Sequence, residues 1–113
     1  MSASLSIVEL PEAWVLTARG ELDFAECPAF RASVQRVVRS RPPACVVDLA
    51  EVDYLDSSCL GLLLSLQRDY VVPGGRLVLV PSETVDGILK ITRLDRVFAE
   101  AADVPAAMAI LGV

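Results

Sequence analysis

The chain has 113 residues and a formal net charge of -5, with 54% hydrophobic and 22% charged residues. This length and composition predict one folded domain, residues 1–113, and exclude a disordered chain. The negative charge disfavours nucleic acid as a partner, and no apolar run reaches the ~20 residues that membrane insertion as a helix requires.

The residue types exclude several kinds of chemistry. The chain contains no histidine, which removes Ser-His-Asp and Cys-His catalysis, His-ligated zinc and histidine phosphotransfer. Residues 1–10 contain no Lys or Arg that would start a secretory signal, so Cys27, Cys45 and Cys59 are expected as reduced thiols in a cytoplasmic protein. We therefore expect a protein without catalytic residues, metal site or cofactor.

The apolar pattern predicts strands alternating with helices. Residues 4–10 and 13–18 should form an antiparallel hairpin. The later elements are predicted as helix 24–39, strand 45–49, helix 58–72, strand 76–80, helix 83–92, a short edge strand 97–100 and helix 104–111. Each strand-helix-strand unit should be a right-handed parallel crossover. The predicted class is therefore α/β, a small mixed sheet with an N-terminal hairpin, parallel β-α-β units and about four helices.

Residues 45–66 contain the candidate functional turn. An apolar strand is followed by an acidic connector, residues 50–55, and then by Asp56, Ser57 and Ser58 at the start of a helix. Side chains at such a strand-helix edge are accessible to partners, and a helix N-terminus favours an anion. The simplest interpretation is that one of these three residues caps the helix. Capping accounts for one polar residue but does not explain three in succession.

The helix after this turn divides into two faces by spacing. The apolar face is predicted to pack in the core and comprises Cys59, Leu63, Leu66 and Tyr70, widened by Leu60 and Leu64. The opposite row is small and polar and comprises Ser58, Gly61, Ser65 and Asp69, with Leu62 at its border. Such a flat row suits docking of another protein, or close packing by another element of the same chain.

Three segments resemble one protein family. The sequence from Tyr54 to Gly61, YLDSSCLG, closely resembles the D-S-S/T-G-L-G signature of bacterial anti-sigma factor antagonists, which are STAS domains. The sequence GELD at residues 20–23 resembles the end of the family's second strand, and VVDL at residues 46–49 resembles its central strand. The spacing between these segments also matches the family, and the similarity extends from about Leu5 to Leu111. The resemblance therefore implies the STAS fold.

The resemblance also implies a partner-switching function. In this family the unphosphorylated antagonist binds an anti-sigma factor, which is also a serine kinase of the GHKL type, and a sigma factor is released. The kinase phosphorylates the first serine of the signature, the complex dissociates, and a PP2C-type phosphatase restores the binding form. This chain's phosphoacceptor is then Ser57. The partner-binding positions implied are Glu21, Asp23, Asp56, Ser58, Gly61, Leu62 and Ser65.

Cys59 departs from the family pattern, because the signature usually has glycine at this position. A backbone with positive φ would strain a cysteine there. The helical spacing predicts instead that Cys59 packs inside the helix as a small buried group.

Other interpretations of the sequence are weaker or stay open. A receiver domain phosphorylated at Asp48 would need an acidic pair after its first strand, and a serine hydrolase would need a histidine and a GxSxG elbow; the chain has neither set. A non-switching STAS domain, such as the small subunit of a lipid-transport ABC ATPase or another STAS scaffold, is the main alternative. Trp14 and Tyr54 fit either the core or an interface.

Overall fold

The structure is a computed structural model that describes residues 3–113. Within this range it contains the strands β1 (Ser4–Glu9), β2 (Trp14–Leu22), β3 (Ala44–Leu55), β4 (Arg76–Pro81) and β5 (Ala99–Glu100). Its α-helices are α1 (Cys27–Ser40), α2 (Ser57–Leu66), α3 (Glu83–Ile91) and α4 (Val104–Leu111). The predicted α/β class, with four helices, is confirmed.

The five strands lie side by side in chain order. β1 pairs antiparallel with β2, as the hairpin prediction requires, and the remaining neighbours pair in parallel. The edge strand predicted over residues 97–100 is present but shorter, as Ala99–Glu100, which pairs with β4. The result is a mixed sheet whose single antiparallel pair is the N-terminal hairpin.

β3 is buried on both faces of the sheet. Cys45, Val47 and Leu49 pack in the cluster that includes the buried residues of α1, α2 and α3. Ala44 and Val46 pack in a second cluster with α4. A strand covered on both sides needs apolar residues at every position, which explains the unbroken apolar run at its start.

The prediction of a connector over residues 50–55 is wrong, because β3 continues as a strand to Leu55. Val52 and Leu55 are buried in the core, and the segment pairs with the end of β2. The register shifts between Thr17 and Arg19 and again between Gly20 and Glu21. These irregularities break the alternation of apolar and polar residues by which a strand is predicted from sequence.

Two helices also differ from their predicted bounds. Residues 24–26 form a 3₁₀ turn, and α1 begins only at Cys27, with a proline in its first turn. α2 ends at Leu66 and is followed by a π-helical turn, Gln67–Val71. None of the helices within residues 3–113 is long and apolar enough to cross a membrane.

The π-helical turn buries Tyr70 beside the start of β3. Its hydroxyl donates a hydrogen bond to the carbonyl oxygen of Pro42 at 2.7 Å. Burial raises the pKa of Tyr70 to about 12, with a smaller contribution from Cys45. Burial likewise raises the pKa of the Cys45 thiol to about 12.

We expect the free energy of unfolding to fall in alkaline solution. The ordinary pKa values are 9.0 for the Cys45 thiol and 10.0 for the Tyr70 phenol. Above these values the unfolded chain binds fewer protons than the folded chain, so rising pH favours unfolding, by up to about 1.4 kcal/mol per pH unit and group. Urea denaturation should therefore show near-constant stability between about pH 7 and 9 and a progressive loss above it.

A Tyr70→Phe variant distinguishes the contribution of the Tyr70 phenol to this loss of stability from that of the Cys45 thiol. It should cost about 1 kcal/mol at neutral pH through the lost hydrogen bond to Pro42, and its deficit against wild type should shrink above about pH 10. Tyr54→Phe is the matched control, because that side chain is 49% exposed. A constant deficit of Tyr70→Phe up to about pH 11 would contradict the expected titration.

Candidate functional site

The two separated motifs of the sequence meet where β2 and β3 end. Leu22 and Leu55, the last residues of these strands, are paired in register. The backbone amide of Asp56 then donates to the carbonyl oxygen of Leu22 at 2.8 Å. Residues 21–24 and 54–58 therefore form one continuous edge, which we call the Ser57 edge.

Asp56 is the N-cap of α2. It has an extended backbone, and its carboxylate accepts a hydrogen bond from the amide of Ser58 at 2.8 Å. Its carbonyl oxygen accepts from the amide of Leu60 at 3.0 Å. Since Asp56 satisfies the cap, Ser57 is the first helical residue, and both Ser57 and Ser58 are exposed. Neither hydroxyl is hydrogen-bonded to another residue within 3–113.

Asp23 caps the 3₁₀ turn on the neighbouring strand end. Its carboxylate accepts from the amide of Glu26 at 3.1 Å. The turn leaves Phe24 75% exposed, whereas the sequence indicated the first residue of a helix. Tyr54, whose place was left open, is half-exposed and pairs in register with Glu21. The Ser57 edge therefore includes two exposed aromatic side chains. The sequence signal that could have indicated the exposure of Phe24 is Pro28, because proline favours the first turn of a helix and so places the start of α1 after Phe24.

Cys59 lies within α2 and is fully buried. Among the non-glycine residues of the described chain, positive φ occurs at Arg41 and Arg93, so Cys59 is unstrained. The prediction that it packs as a small buried group is confirmed. Burial, the neighbouring Cys27 thiol and the charge of Asp56 all raise the pKa of Cys59.

The small-residue row on α2 is open at one end and enclosed at the other. Gly61 is exposed, and a Cβ added there would meet nothing within 4 Å, so the glycine does not serve packing within the chain. Ser65 is half-buried and donates to the carbonyl oxygen of Gly61 at 3.1 Å. Ser65 and Asp69 line a groove of about 340 Å³ against Arg31 and Arg39 of α1.

The predicted positions of two leucines are wrong. Leu62 was placed at the border of the exposed row, but it is 5% exposed and belongs to the core cluster. Leu64 was placed in the core, but it is 38% exposed. The buried side of α2 is centred on Cys59, Leu62, Leu63 and Leu66, because the neighbouring α1 covers Leu62 and leaves Leu64 outward.

The Ser57 edge is acidic. The sequence contains no Lys or Arg in residues 20–30 or 42–67, while Glu21, Asp23, Asp53 and Asp56 lie in these segments. Within residues 3–113 no three His, Cys, Asp or Glu side chains are grouped so that they could hold a metal ion. The edge therefore offers an anionic, partly aromatic surface for a protein partner.

Comparison with known proteins identifies the family. A family model described as "Mlab, STAS domain" matches residues 5–102. The chain belongs to the STAS domain family. A STAS-domain containing protein of Pseudomonas aeruginosa (strain UCBPP-PA14) is 35% identical over 102 residues, covering 83% of this chain and 97% of the relative.

Solved structures share the fold of this STAS domain. An anti-sigma factor antagonist from Mycobacterium paratuberculosis has a TM-score of 0.86 at 24% identity, covering 99% of this chain and 96% of the other. The anti-sigma factor antagonist SpoIIAA in its unphosphorylated form has a TM-score of 0.79 at 23% identity, covering 97% and 98%. At these identities the likeness shows the fold.

We expect Gly61→Ala to stabilise this STAS domain. The added methyl group meets no atom within 4 Å, and alanine is favoured over glycine inside a helix by about 1 kcal/mol. Gly75→Ala is the matched control, since its Cβ would lie 2.6 Å from the Tyr70 carbonyl oxygen and should destabilise by roughly 1–3 kcal/mol. Urea denaturation followed by circular dichroism measures both, and a loss of stability in Gly61→Ala would show that the glycine serves the fold.

Proposed function

We propose that this STAS domain is an anti-sigma factor antagonist that changes partners through the phosphorylation of Ser57. The unphosphorylated form binds an anti-sigma factor, which releases a sigma factor, and the phosphorylated form does not bind. The observation that carries this proposal is the hydroxyl of Ser57, which is exposed at the first residue of α2 and has no hydrogen-bond partner within residues 3–113, while Asp56 performs the capping.

The phosphoacceptor assignment is supported by the fold that this chain shares with solved antagonists. SpoIIAA, one of the structural matches, has been solved in unphosphorylated and in phosphorylated form. Ser57 of this chain lies in the segment whose sequence resembles the antagonist signature. We assign the modification to Ser57 and leave Ser58 as a neighbouring contact residue.

The electrostatics of α2 explain how one phosphate could abolish binding. A phosphoserine carries about -1.5 to -2 charges at neutral pH. The amide of Ser58 is already bonded to the Asp56 carboxylate at 2.8 Å, so a phosphate on Ser57 would share the helix N-terminus with an existing anion. A partner surface fitted to a hydroxyl would have to desolvate this added charge. A loss of about 2–3 kcal/mol weakens binding roughly 30- to 150-fold.

The partner is inferred from the chemistry of the surface and from the family. The acidic residues Glu21, Asp23 and Asp56 suit a basic partner surface, and Phe24 and Tyr54 add exposed aromatic area of the kind that anchors interfaces. The family resemblance adds that the partner is an anti-sigma factor of the GHKL kinase type and that a PP2C-type phosphatase reverses the modification. The domain itself then acts in the cytoplasm as a non-catalytic regulator.

A second candidate function is a constitutive STAS subunit of a lipid-transport ABC ATPase. It is favoured by the matching family model, whose description is "Mlab, STAS domain" and does not name an antagonist. Affinity purification from the native cell distinguishes the two, since an antagonist should co-purify with an ATP-binding anti-sigma kinase and the alternative with a transporter ATPase.

Ser57 variants test the switch. Ser57→Asp should weaken binding of the cognate anti-sigma factor by at least about tenfold, because it places a carboxylate beside Asp56. Ser57→Ala should bind with nearly wild-type affinity and take up no phosphate. Isothermal titration calorimetry measures the affinity, and intact-mass spectrometry after incubation with ATP and candidate kinases measures the modification.

Ser58 supplies the matched control for this test. It is equally exposed, one residue away, and Ser58→Ala should still gain one phosphate in the kinase reaction. Equal affinity of the unmodified and phosphorylated wild-type protein for the anti-sigma factor would contradict the proposal. So would phosphate on Ser58 in place of Ser57.

A side chain at Gly61 tests the docking face. Gly61→Gln should leave the fold intact, because an added Cβ lies in open space, and should weaken partner binding by at least about tenfold by preventing close approach. Gly87→Gln in α3 is the control, since its Cβ also meets nothing within 4 Å, and we expect unchanged affinity. Unchanged affinity of folded Gly61→Gln would remove this row of α2 from the interface.

A further inference from the structure

Two cysteines from different helices meet directly beneath the Ser57 edge. Cys27 is the first residue of α1, Cys59 is the third residue of α2, and their sulfur atoms lie 2.7 Å apart. Both thiols also point toward the carbonyl oxygen of Asp23, at 3.4 Å from Cys27 and 3.9 Å from Cys59. The third cysteine, Cys45, is buried at the start of β3, and its thiol contacts the carbonyl oxygen of Val46 at 3.8 Å.

We propose that Cys27 and Cys59 are a redox modification site that forms a reversible intrachain disulfide. A disulfide bond is about 2.05 Å long, so the two sulfur atoms need to approach by less than about 1 Å. The bond would join the start of α1 to the start of α2, and with them the two turns of the Ser57 edge. Neither the bond nor its test requires a protein partner.

The oxidant is a peroxide, and the reaction balances with two molecules of water. One cysteine attacks a peroxide oxygen as a thiolate and becomes a sulfenic acid, and the leaving hydroxide takes up the thiol proton. The sulfur of the second cysteine then attacks the sulfenic sulfur, and the oxygen leaves as water with the second proton. Two thiols lose two electrons in total, and one hydrogen peroxide is reduced. A dithiol reductant reverses the change by thiol–disulfide exchange.

The burial of the pair determines how the bond forms. Cys27 is 4% exposed and Cys59 is fully buried, so a small oxidant reaches the sulfur atoms only as the helix ends open locally. Burial and the nearby carboxylates of Asp56 and Asp23 raise the pKa of Cys59, which lowers the thiolate fraction. The disulfide should therefore form slowly, over minutes to hours, and should exclude further oxidation once it is made.

The test uses the reduced full-length protein and hydrogen peroxide at a few-fold molar excess. After incubation the protein is denatured, free thiols are alkylated, and the intact mass and disulfide-linked peptides are measured. The expected result is a loss of two mass units, one alkylated thiol at Cys45, and a single linked peptide pair containing Cys27 and Cys59. The midpoint of thermal unfolding should rise by on the order of 10 °C, because the bond closes a loop of over thirty residues. Dithiothreitol should reverse both changes.

Single variants supply the controls. Cys45→Ala keeps the pair and should form the bond as wild type does, whereas Cys27→Ala and Cys59→Ala should show neither the mass loss nor the rise in melting temperature. Circular dichroism of the reduced variants verifies that each is folded. The proposal is overturned if all three thiols of native protein stay alkylatable after a small-molecule dithiol has been fully oxidised in the same solution. It is equally overturned if the bond includes Cys45, or if oxygen adducts form in place of the bond.

Discussion

The parallel pairing of β2 with β3 continues to the last residue of both strands. This pairing determines the position of the Ser57 edge. β4 pairs with β3 only as far as Leu49, opposite Pro81. The last six residues of β3 therefore have a strand neighbour on one side only. They are held by the pairing with β2 and by the burial of Val52 and Leu55. A strand end that projects in this way presents the following turn at the surface while its own backbone stays fixed.

The proposed phosphorylation switch also depends on which residue caps α2. If a serine were the cap, phosphorylating it would remove a hydrogen bond from the start of α2 and unfold part of the helix. Here the carboxylate of Asp56 makes the capping bond, and the Ser57 hydroxyl makes none within residues 3–113. Under the proposed function, a charge added at Ser57 would therefore change the surface that a partner meets without removing the capping bond of α2.

The sequence was informative where one physical rule determined the structure, and it failed where two rules competed. Helical spacing located all four helices, and the apolar run at Cys45 located a strand buried on both faces. The end of β3 was missed because register shifts at Gly20 and Thr17 place exposed residues next to one another. The sides of Leu62 and Leu64 were exchanged because the buried face of α2 depends on where α1 packs, which spacing within α2 cannot specify. The exposure of Phe24 depends on a 3₁₀ turn capped by Asp23, for which a helical pattern gives no signal.

Cys59 departs from the family signature without changing the exposed face of α2, but it places a thiol on the buried side of the helix. Its backbone is helical, so no glycine is needed there, and its side chain points into the core while Gly61 stays open outside. The exposed end of the small-residue row at Gly61 is thus unchanged by the substitution. What the cysteine adds is a sulfur atom 2.7 Å from Cys27, at the point where α1 and α2 begin. A phosphate on Ser57 would alter the charge of the edge, whereas a bond between the sulfur atoms would alter how freely its two turns move. The same turn therefore places two chemically different groups, the exposed hydroxyl of Ser57 and the buried thiol of Cys59, within two residues of each other.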